Sequence, residues 1–120
     1  MNAMSAPKID TDYQLRDNLS REKGRVFLTG TQALVRMVLD QARFDKAQGL
    51  NTAGFVSGYR GSPLGAVDQQ LWRAKKDLDQ NDIKFLPAIN EDLAATACLG
   101  TQRAGADPKK THDGLFALWY

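Results

Sequence analysis

The sequence is poor in the residues that most often bind metals. Its 120 residues include one cysteine, Cys98, and one histidine, His112. A single cysteine excludes an intramolecular disulfide, and the sequence contains neither zinc-ligand nor iron–sulfur spacing, so no metal site is predicted. A lone histidine in a polar loop is more often a surface residue than a catalytic one. Cys98 lies among small helical residues, and we expect it to serve packing.

Long apolar runs and an excess of one charge are also absent. The N-terminal segment Met1–Lys23 has no apolar core of the kind that marks a secretory signal. No apolar run approaches the roughly 18–20 residues of a membrane span. The formal net charge is +2, with both signs interspersed, so the sequence offers no basic stripe for nucleic acid. We therefore expect a soluble, cytoplasmic protein that binds neither membranes nor nucleic acid.

What the sequence does contain is an alternation of helical and extended patterns. We expect residues 1–24 to form a flexible N-terminal lead-in. Apolar residues then recur at helical spacing from Leu34 to Ala42, again from Leu64 to Leu78, and a third helix is expected over Glu91–Arg103. Short apolar runs separate these helices and predict extended segments, with the last run forming either a strand or a helix. These runs are residues 52–57, 83–89 and 114–120.

This alternation predicts the fold class. Strands and helices in turn favour an α/β fold in which a partial, doubly wound parallel sheet is flanked by helices on both faces. In such sheets, ligands bind outside the carboxyl ends of the strands, where each strand turns into a helix. Two segments of the sequence occupy turns of this kind, and both contain residues suited to binding or catalysis.

The first segment is the glycine-rich turn Gly58–Gly65, with the sequence Gly-Tyr-Arg-Gly-Ser-Pro-Leu-Gly. Glycines let the backbone approach a ligand, and Ser62 followed by Pro63 predicts the start of the next helix. The spacing matches neither a dinucleotide fingerprint nor a phosphate-binding P-loop. A tight strand-to-helix connection explains the glycines equally well. Arg60 suits a substrate carboxylate or phosphate, although a solvated arginine fits the same position.

The second segment is Asn90-Glu91-Asp92, at the predicted start of the third helix. Asn90 is a favourable N-cap residue, and Asp92 is expected to be an exposed residue of the first turn. Glu91 is a candidate catalytic carboxylate. The helix macrodipole stabilises a negative charge at this position, so capping electrostatics alone also account for it.

Taken together, several segments are more specific than either turn. The chain, from about Tyr13 to Tyr120, closely resembles the start of the long indolepyruvate ferredoxin oxidoreductase family, a branch of the 2-oxoacid:ferredoxin oxidoreductases. The segments that carry the resemblance are residues 24–34, 49–55, 58–65, 89–91 and 115–120. The wider superfamily has Gly-Tyr-Pro-Gly-Ser-Pro at the glycine-rich turn, and here Arg60 replaces the first proline.

The resemblance implies that residues 25–120 are the N-terminal part of the pyrimidine-binding domain of a thiamine diphosphate enzyme, incomplete at its C-terminus. Glu91 would hydrogen-bond N1′ of the aminopyrimidine and favour its imino tautomer, whose 4′-imino group acts as the base at C2. Arg60 and Ser62 would approach the substrate. The residues implied to contact the cofactor are Gly58, Tyr59, Gly61, Ser62, Pro63 and Glu91.

The resemblance also implies the reaction and its partners. The complete enzyme would oxidatively decarboxylate 2-oxo acids, such as indolepyruvate and other aryl pyruvates, to acyl-coenzyme A, with ferredoxin as electron acceptor. Magnesium and iron–sulfur clusters would be bound by domains or subunits that this chain does not contain. We therefore expect the chain to be inactive alone and the complete enzyme to be a homo-oligomer. Two alternatives remain open: a non-catalytic module of the same fold, and a stand-alone α/β module that binds phosphate or a nucleotide.

Overall fold

A computed structural model of the protein describes residues 9–120, and its centre is a parallel three-stranded sheet. Strand β1 lies in the middle and pairs in parallel with β2 on one side and β3 on the other. The α/β fold class predicted from the sequence is confirmed at this level. The elements in chain order are α1 (Asp17–Ser20), α2 (Gly30–Ala47), β1 (Thr52–Ser57), α3 (Gly65–Arg73), α4 (Lys75–Gln80), β2 (Ile83–Phe85), α5 (Glu91–Ala104) and β3 (Gly114–Trp119).

The helices cover both faces of the sheet. Helices α2, α3 and α4 pack with one another and against β1 and β2, whereas α5 packs against β1 and β3. The main apolar core lies on the side of α2–α4, and the buried residues of α5, Ala94 and Cys98, lie outside it. The fully or almost fully buried core residues are Val35, Val38, Leu39, Val56, Val67, Leu71, Ala74, Leu78, Ile83 and Phe85.

Local sequence signals set the ends of the longest helix, α2. Thr29 caps its start, because the Thr29 side chain accepts a hydrogen bond from the Gln32 backbone N–H at 3.3 Å. The Gln32 side chain in turn accepts from the Thr29 N–H at 2.9 Å, which completes a capping box. Gly49 follows the last turn with a φ of 78°, the left-handed conformation expected of glycine after a helix.

The second helical pattern is divided in the structure. The stripe from Leu64 to Leu78 predicted one helix, but α3 ends at Arg73 and α4 begins at Lys75. Ala74 lies between them with φ −87° and ψ 1°, and its N–H still bonds to the Gln70 carbonyl at 2.9 Å. The apolar stripe continues through this distortion, so the periodicity of the sequence gave no indication of it.

The strand predicted over residues 83–89 is shorter than expected. Regular pairing ends at Phe85, and Pro87 follows at a position where the N–H that it lacks would face the open edge of the sheet. The flanking residues extend the contact irregularly: Leu86 N–H donates to the Val56 carbonyl at 3.0 Å, and Ala88 N–H donates to the Gly58 carbonyl at 2.9 Å.

The N-terminal segment makes more contacts than a flexible lead-in suggests. Residues 1–8 of that predicted segment lie outside the described residues. Further along, Arg36 donates to the carbonyls of Asn18 and Arg21 at 2.8 and 2.6 Å, and Arg43 donates to that of Leu19 at 2.6 Å. The Leu19 side chain also packs against the core. These contacts join residues far apart in sequence, so no local pattern predicts them.

Packing of α2 against the sheet should dominate the stability of the fold. Leu39 is fully buried, whereas Met37 on the same helix is 51% exposed. We expect Leu39→Ala to lower the free energy of unfolding by about 2–5 kcal/mol through lost contacts and a cavity. Met37→Ala is the matched control and should change it by less than about 1 kcal/mol. Urea denaturation followed by circular dichroism measures both, and equal effects would contradict this packing.

Candidate functional site

The carboxyl ends of β1 and β2 form a crevice in the sheet. The chain leaves β1 toward α3 on one face and leaves β2 toward α5 on the other, so the two connections diverge between adjacent strands. A parallel bridge between Tyr59 and Ala88, together with the bond from Ala88 N–H to the Gly58 carbonyl, holds the two connections side by side. A divergence of this kind is the topological switch point at which open α/β sheets bind ligands.

A cavity of about 370 Å³ opens at this crevice. The residues that line it come from both connections and from the first turn of α3: Tyr59, Arg60, Asp68, Pro87, Ala88 and Ile89. Other surface cavities lie elsewhere, including one between the N-terminal segment and residues 24–27, and one beside Asn51 and Asp82 near the opposite edge of the sheet. Of the predicted site residues, Tyr59 and Arg60 line the cavity at the switch point, whereas Glu91 and the rest of the glycine-rich loop lie outside its lining.

Close packing accounts for the glycines of the loop. A Cβ on Gly58 would lie 2.5 Å from the Tyr120 carbonyl oxygen and 2.6 Å from its ring. A Cβ on Gly61 would lie 2.5 Å from the Tyr59 ring, and one on Gly65 would overlap the Arg60 carbonyl. Each glycine therefore permits a contact within the loop or with the end of β3. These contacts explain the glycines structurally, and they also fix the shape of the loop beside the cavity.

The predicted roles of Ser62 and Pro63 at the start of a helix were wrong. Helix α3 begins at Gly65, and Leu64 occupies its N-cap without a side-chain hydrogen bond. Two successive turns come first, with Ser62 N–H donating to the Tyr59 carbonyl at 3.0 Å and Gly65 N–H to the Ser62 carbonyl at 2.9 Å. The Ser62 hydroxyl accepts from Leu64 N–H at 3.2 Å. Ser62 is half-buried and Pro63 is exposed, so the pair shapes the loop instead of capping the helix.

The second predicted segment folds as expected. The Asn90 side chain accepts a hydrogen bond from Leu93 N–H at 2.8 Å, which confirms Asn90 as the N-cap of α5. Glu91 and Asp92 follow in the first turn, and both are exposed. Glu91 thus lies three residues beyond Ala88, on the connection that forms one side of the crevice. Its carboxylate is stabilised there by the positive end of the helix macrodipole.

Two further residues of the site were not identified from the sequence. Asp68 is 1% exposed, and its two carboxylate oxygens accept from Arg60 at 3.2 Å and from the Tyr120 hydroxyl at 3.4 Å. Asp68 follows Leu64 by four residues and precedes Leu71 by three, so it lies on the apolar face of the helical pattern. A charged residue on an apolar face indicates a buried, partnered side chain, and this was the signal in the sequence that could have identified Asp68. Its partner Tyr120 is recognisable only from the tertiary structure.

Burial and charge together set the protonation of Tyr120. Loss of solvent contact is the larger cause, and the neighbouring Asp68 carboxylate adds to it, so the pKa of the Tyr120 hydroxyl is raised well above its ordinary value. The hydroxyl therefore stays protonated to a higher pH than that of a solvated tyrosine, and it acts as a hydrogen-bond donor. It donates to a carboxylate that is out of contact with water.

The remaining candidates lie away from the crevice or serve packing. Cys98 is buried under β3 with its thiol 3.8 Å from the Leu118 carbonyl, and burial raises the pKa of that thiol. His112 precedes β3, at the edge of the sheet opposite the crevice, and lines a shallow cavity with Ala53 and Lys84. Within residues 9–120 no group of three or more His, Cys, Asp or Glu side chains is arranged to hold a metal ion.

Comparison of the chain with protein-family models, with curated proteins and with solved structures finds no match. Over the part of the chain that the structure describes, no helix has the length and apolar character needed to cross a membrane.

The contact between Gly58 and Tyr120 is open to a direct test. We expect Gly58→Ala to lower the free energy of unfolding by about 1–3 kcal/mol, because the new methyl group would clash with the Tyr120 backbone and ring. Gly100→Ala in α5 is the matched control, since a Cβ there meets open space. It should raise stability by up to about 1 kcal/mol. Chemical denaturation of both variants checks this, and a neutral Gly58→Ala would show that the loop does not pack against β3 as described.

The environment of Tyr120 predicts a pH dependence of stability. Its pKa is raised in the folded state above the ordinary 10.0, so the unfolded chain loses this proton first as the pH rises. The stabilisation is fully present below pH 10 and is lost progressively above it. Tyr120→Phe removes this contribution. The free energy of unfolding of the variant should therefore fall less steeply than that of the wild type between about pH 9 and pH 11. Superimposable pH profiles for the two proteins, measured by thermal unfolding, would contradict the assignment.

Proposed function

We propose that this chain supplies the aminopyrimidine-binding part of a thiamine diphosphate site in a 2-oxoacid:ferredoxin oxidoreductase of the indolepyruvate type. One observation carries the proposal: the glycine-rich connection after β1 and the connection that leads to Glu91 are hydrogen-bonded side by side at the switch point of a parallel sheet. Cofactors of α/β proteins bind at such crevices. The identity of the cofactor is inferred from the resemblance of the sequence to this family.

The residues at the crevice fit the aminopyrimidine end of the cofactor. Tyr59, Pro87 and Ile89 offer apolar and aromatic surface to a flat heterocycle, and Ile89 is 80% exposed. Glu91, on the same connection as Ile89, supplies an exposed carboxylate that can hydrogen-bond a ring nitrogen. When bound, thiamine diphosphate supplies a carbon nucleophile and an electron sink for 2-oxo acid chemistry. The role of Glu91 is to hold a proton at N1′ of the pyrimidine.

The same residues do not fit the diphosphate end. A diphosphate in this enzyme class is held through a metal ion, and among the described residues no acidic cluster could bind one. The proposal therefore requires a second domain or subunit that holds the metal and the diphosphate. It further requires domains whose iron–sulfur clusters would pass electrons to ferredoxin and domains that would bind coenzyme A. In a complete homo-oligomeric enzyme the crevice would face the domain that binds the diphosphate.

A stand-alone phosphate- or nucleotide-binding module is less well supported. Such a module would use the glycine-rich loop and the N-terminus of α3 to hold an anion. Here Asp68 occupies the first turn of α3 as a buried carboxylate. Its negative charge opposes a phosphate at that helix end, and the loop glycines are already in close contact with Tyr59 and Tyr120.

The role of Glu91 is tested in the assembled oxidoreductase that contains this chain. We expect Glu91→Gln to lower the turnover of indolepyruvate by about 10²–10⁴-fold, the range expected for loss of a group that assists proton transfer. Asp92→Asn is the matched control, because it neutralises the adjacent exposed carboxylate of the same helical turn. It should turn over at close to the wild-type rate. Ferredoxin reduction measures activity, and circular dichroism confirms folding; wild-type turnover by Glu91→Gln rules out the proposed role.

A further inference from the structure

We propose that Arg60, positioned by Asp68 and Tyr120, forms a subsite at the switch-point cavity for the carboxylate of an aromatic 2-oxo acid. The identity of the acid rests on the proposed function. The recognition of a carboxylate rests on the cluster itself. The cluster consists of Arg60 in the loop after β1, Asp68 in the first turn of α3 and Tyr120 at the end of β3.

Asp68 is the residue that fixes the cluster. Its side chain is 2% exposed, whereas that of Arg60 is 74% exposed, so the ion pair joins a buried carboxylate to a guanidinium at the cavity mouth. A buried carboxylate without partners is strongly unfavourable. Throughout the described part of the chain, no buried side-chain oxygen or nitrogen lacks a hydrogen-bond partner. Arg60 and Tyr120 satisfy Asp68 together, one at each oxygen.

Arg60 keeps donors free for a ligand. Of its guanidinium nitrogens, one Nη donates to Asp68, which leaves the other nitrogens and their N–H groups at the exposed side. A planar fork of such donors matches the two oxygens of a carboxylate. The ion pair with Asp68 restrains the rotation of Arg60, so less conformational entropy is lost when a ligand binds.

The charge of the cluster favours a monoanion. Arg60 carries the positive charge among the residues lining the cavity, and Asp68 offsets it. A carboxylate adds one negative charge beside this neutral pair, whereas a phosphate dianion would add two, with stronger repulsion from Asp68. The Tyr120 hydroxyl donates a hydrogen bond to Asp68 and so stabilises part of its negative charge. A small carboxylate is therefore the better match, and a phosphate group is the worse one.

The remaining walls of the cavity suit an aromatic substituent. Tyr59, Pro87 and Ile89 present hydrocarbon surface within the same cavity of about 370 Å³. A ring lying on this surface would place its carboxylate at Arg60 and its keto group between the two connections. Aromatic rings gain free energy from such contacts with aromatic and aliphatic surfaces.

The test is a titration of the 120-residue chain followed by heteronuclear NMR, without thiamine diphosphate. Three probes are compared: phenylpyruvate, phenylacetone, which has the same ring and ketone but no carboxylate, and inorganic phosphate. We expect phenylpyruvate to shift the amide signals of Tyr59, Arg60, Ala88 and Ile89. It should bind more tightly than either of the other two probes.

Three variants separate the roles of the residues. Arg60→Gln should weaken phenylpyruvate binding about tenfold or more, the loss expected for charge-assisted hydrogen bonds. Asp68→Asn should move the Arg60 Nε–H signal toward that of a freely rotating side chain, a change that a purely structural role would not cause. It should also reduce the preference for phenylpyruvate over phosphate, because the carboxylate that restrains Arg60 and repels a dianion is lost. Arg73→Gln is the matched control, an exposed arginine at the far end of α3, and should bind as the wild type does.

Each outcome decides the question. Wild-type affinity in Arg60→Gln, equal binding of phenylacetone, or tighter binding of phosphate would overturn the carboxylate subsite. If Arg60→Gln does not fold, Arg60→Lys takes its place, since it keeps the charge but loses the planar fork; unchanged affinity in that variant would also overturn the proposal. The titrations do not involve Glu91 or the cofactor. Failure here therefore leaves the thiamine proposal standing, and failure of the Glu91 test leaves the subsite standing.

Discussion

Much of this structure depends on the parallel pairing of β1 with a neighbour on each side. β1 is hydrogen-bonded to β2 over Gly54–Val56 and to β3 over Thr52–Ser57. Because parallel neighbours require crossover connections, the chain must pass over the sheet twice, once on each face. The two crossovers leave the carboxyl edge in opposite directions between β1 and β2. The crevice is thus a consequence of strand order, and side chains from both connections meet there.

The buried carboxylate of Asp68 is the second constraint on the site. It lies among apolar residues of α3, and its desolvation has to be offset by partners. Arg60 and Tyr120 provide them from the loop after β1 and from the end of β3. This cluster joins three segments at the carboxyl edge of the sheet. It also places a cation at the cavity mouth, whereas Glu91 lies on the opposite connection.

The proposed division of labour follows from this arrangement. One side of the crevice, formed by Arg60 and Asp68, is suited to hold an anionic substrate, and the other side, with Glu91, is suited to hold a heterocyclic cofactor. Apolar surface from Tyr59, Pro87 and Ile89 lines the same cavity as Arg60 and Asp68. No metal cluster is found among residues 9–120, so the proposal assigns the diphosphate to a different domain.

The sequence by itself determined the fold class, the order of most elements, the Asn90 cap and the glycine-terminated end of α2, because these depend on local periodicity and on capping chemistry. It also placed Glu91 and the glycine-rich loop at strand-to-helix turns. The tertiary structure decided what depends on distant contacts: the docking of Leu19, the short β2, and the meeting of Asp68 with Tyr120, 52 residues away. Periodicity shows which residues are buried but not which distant residues they meet, so these features required the folded chain.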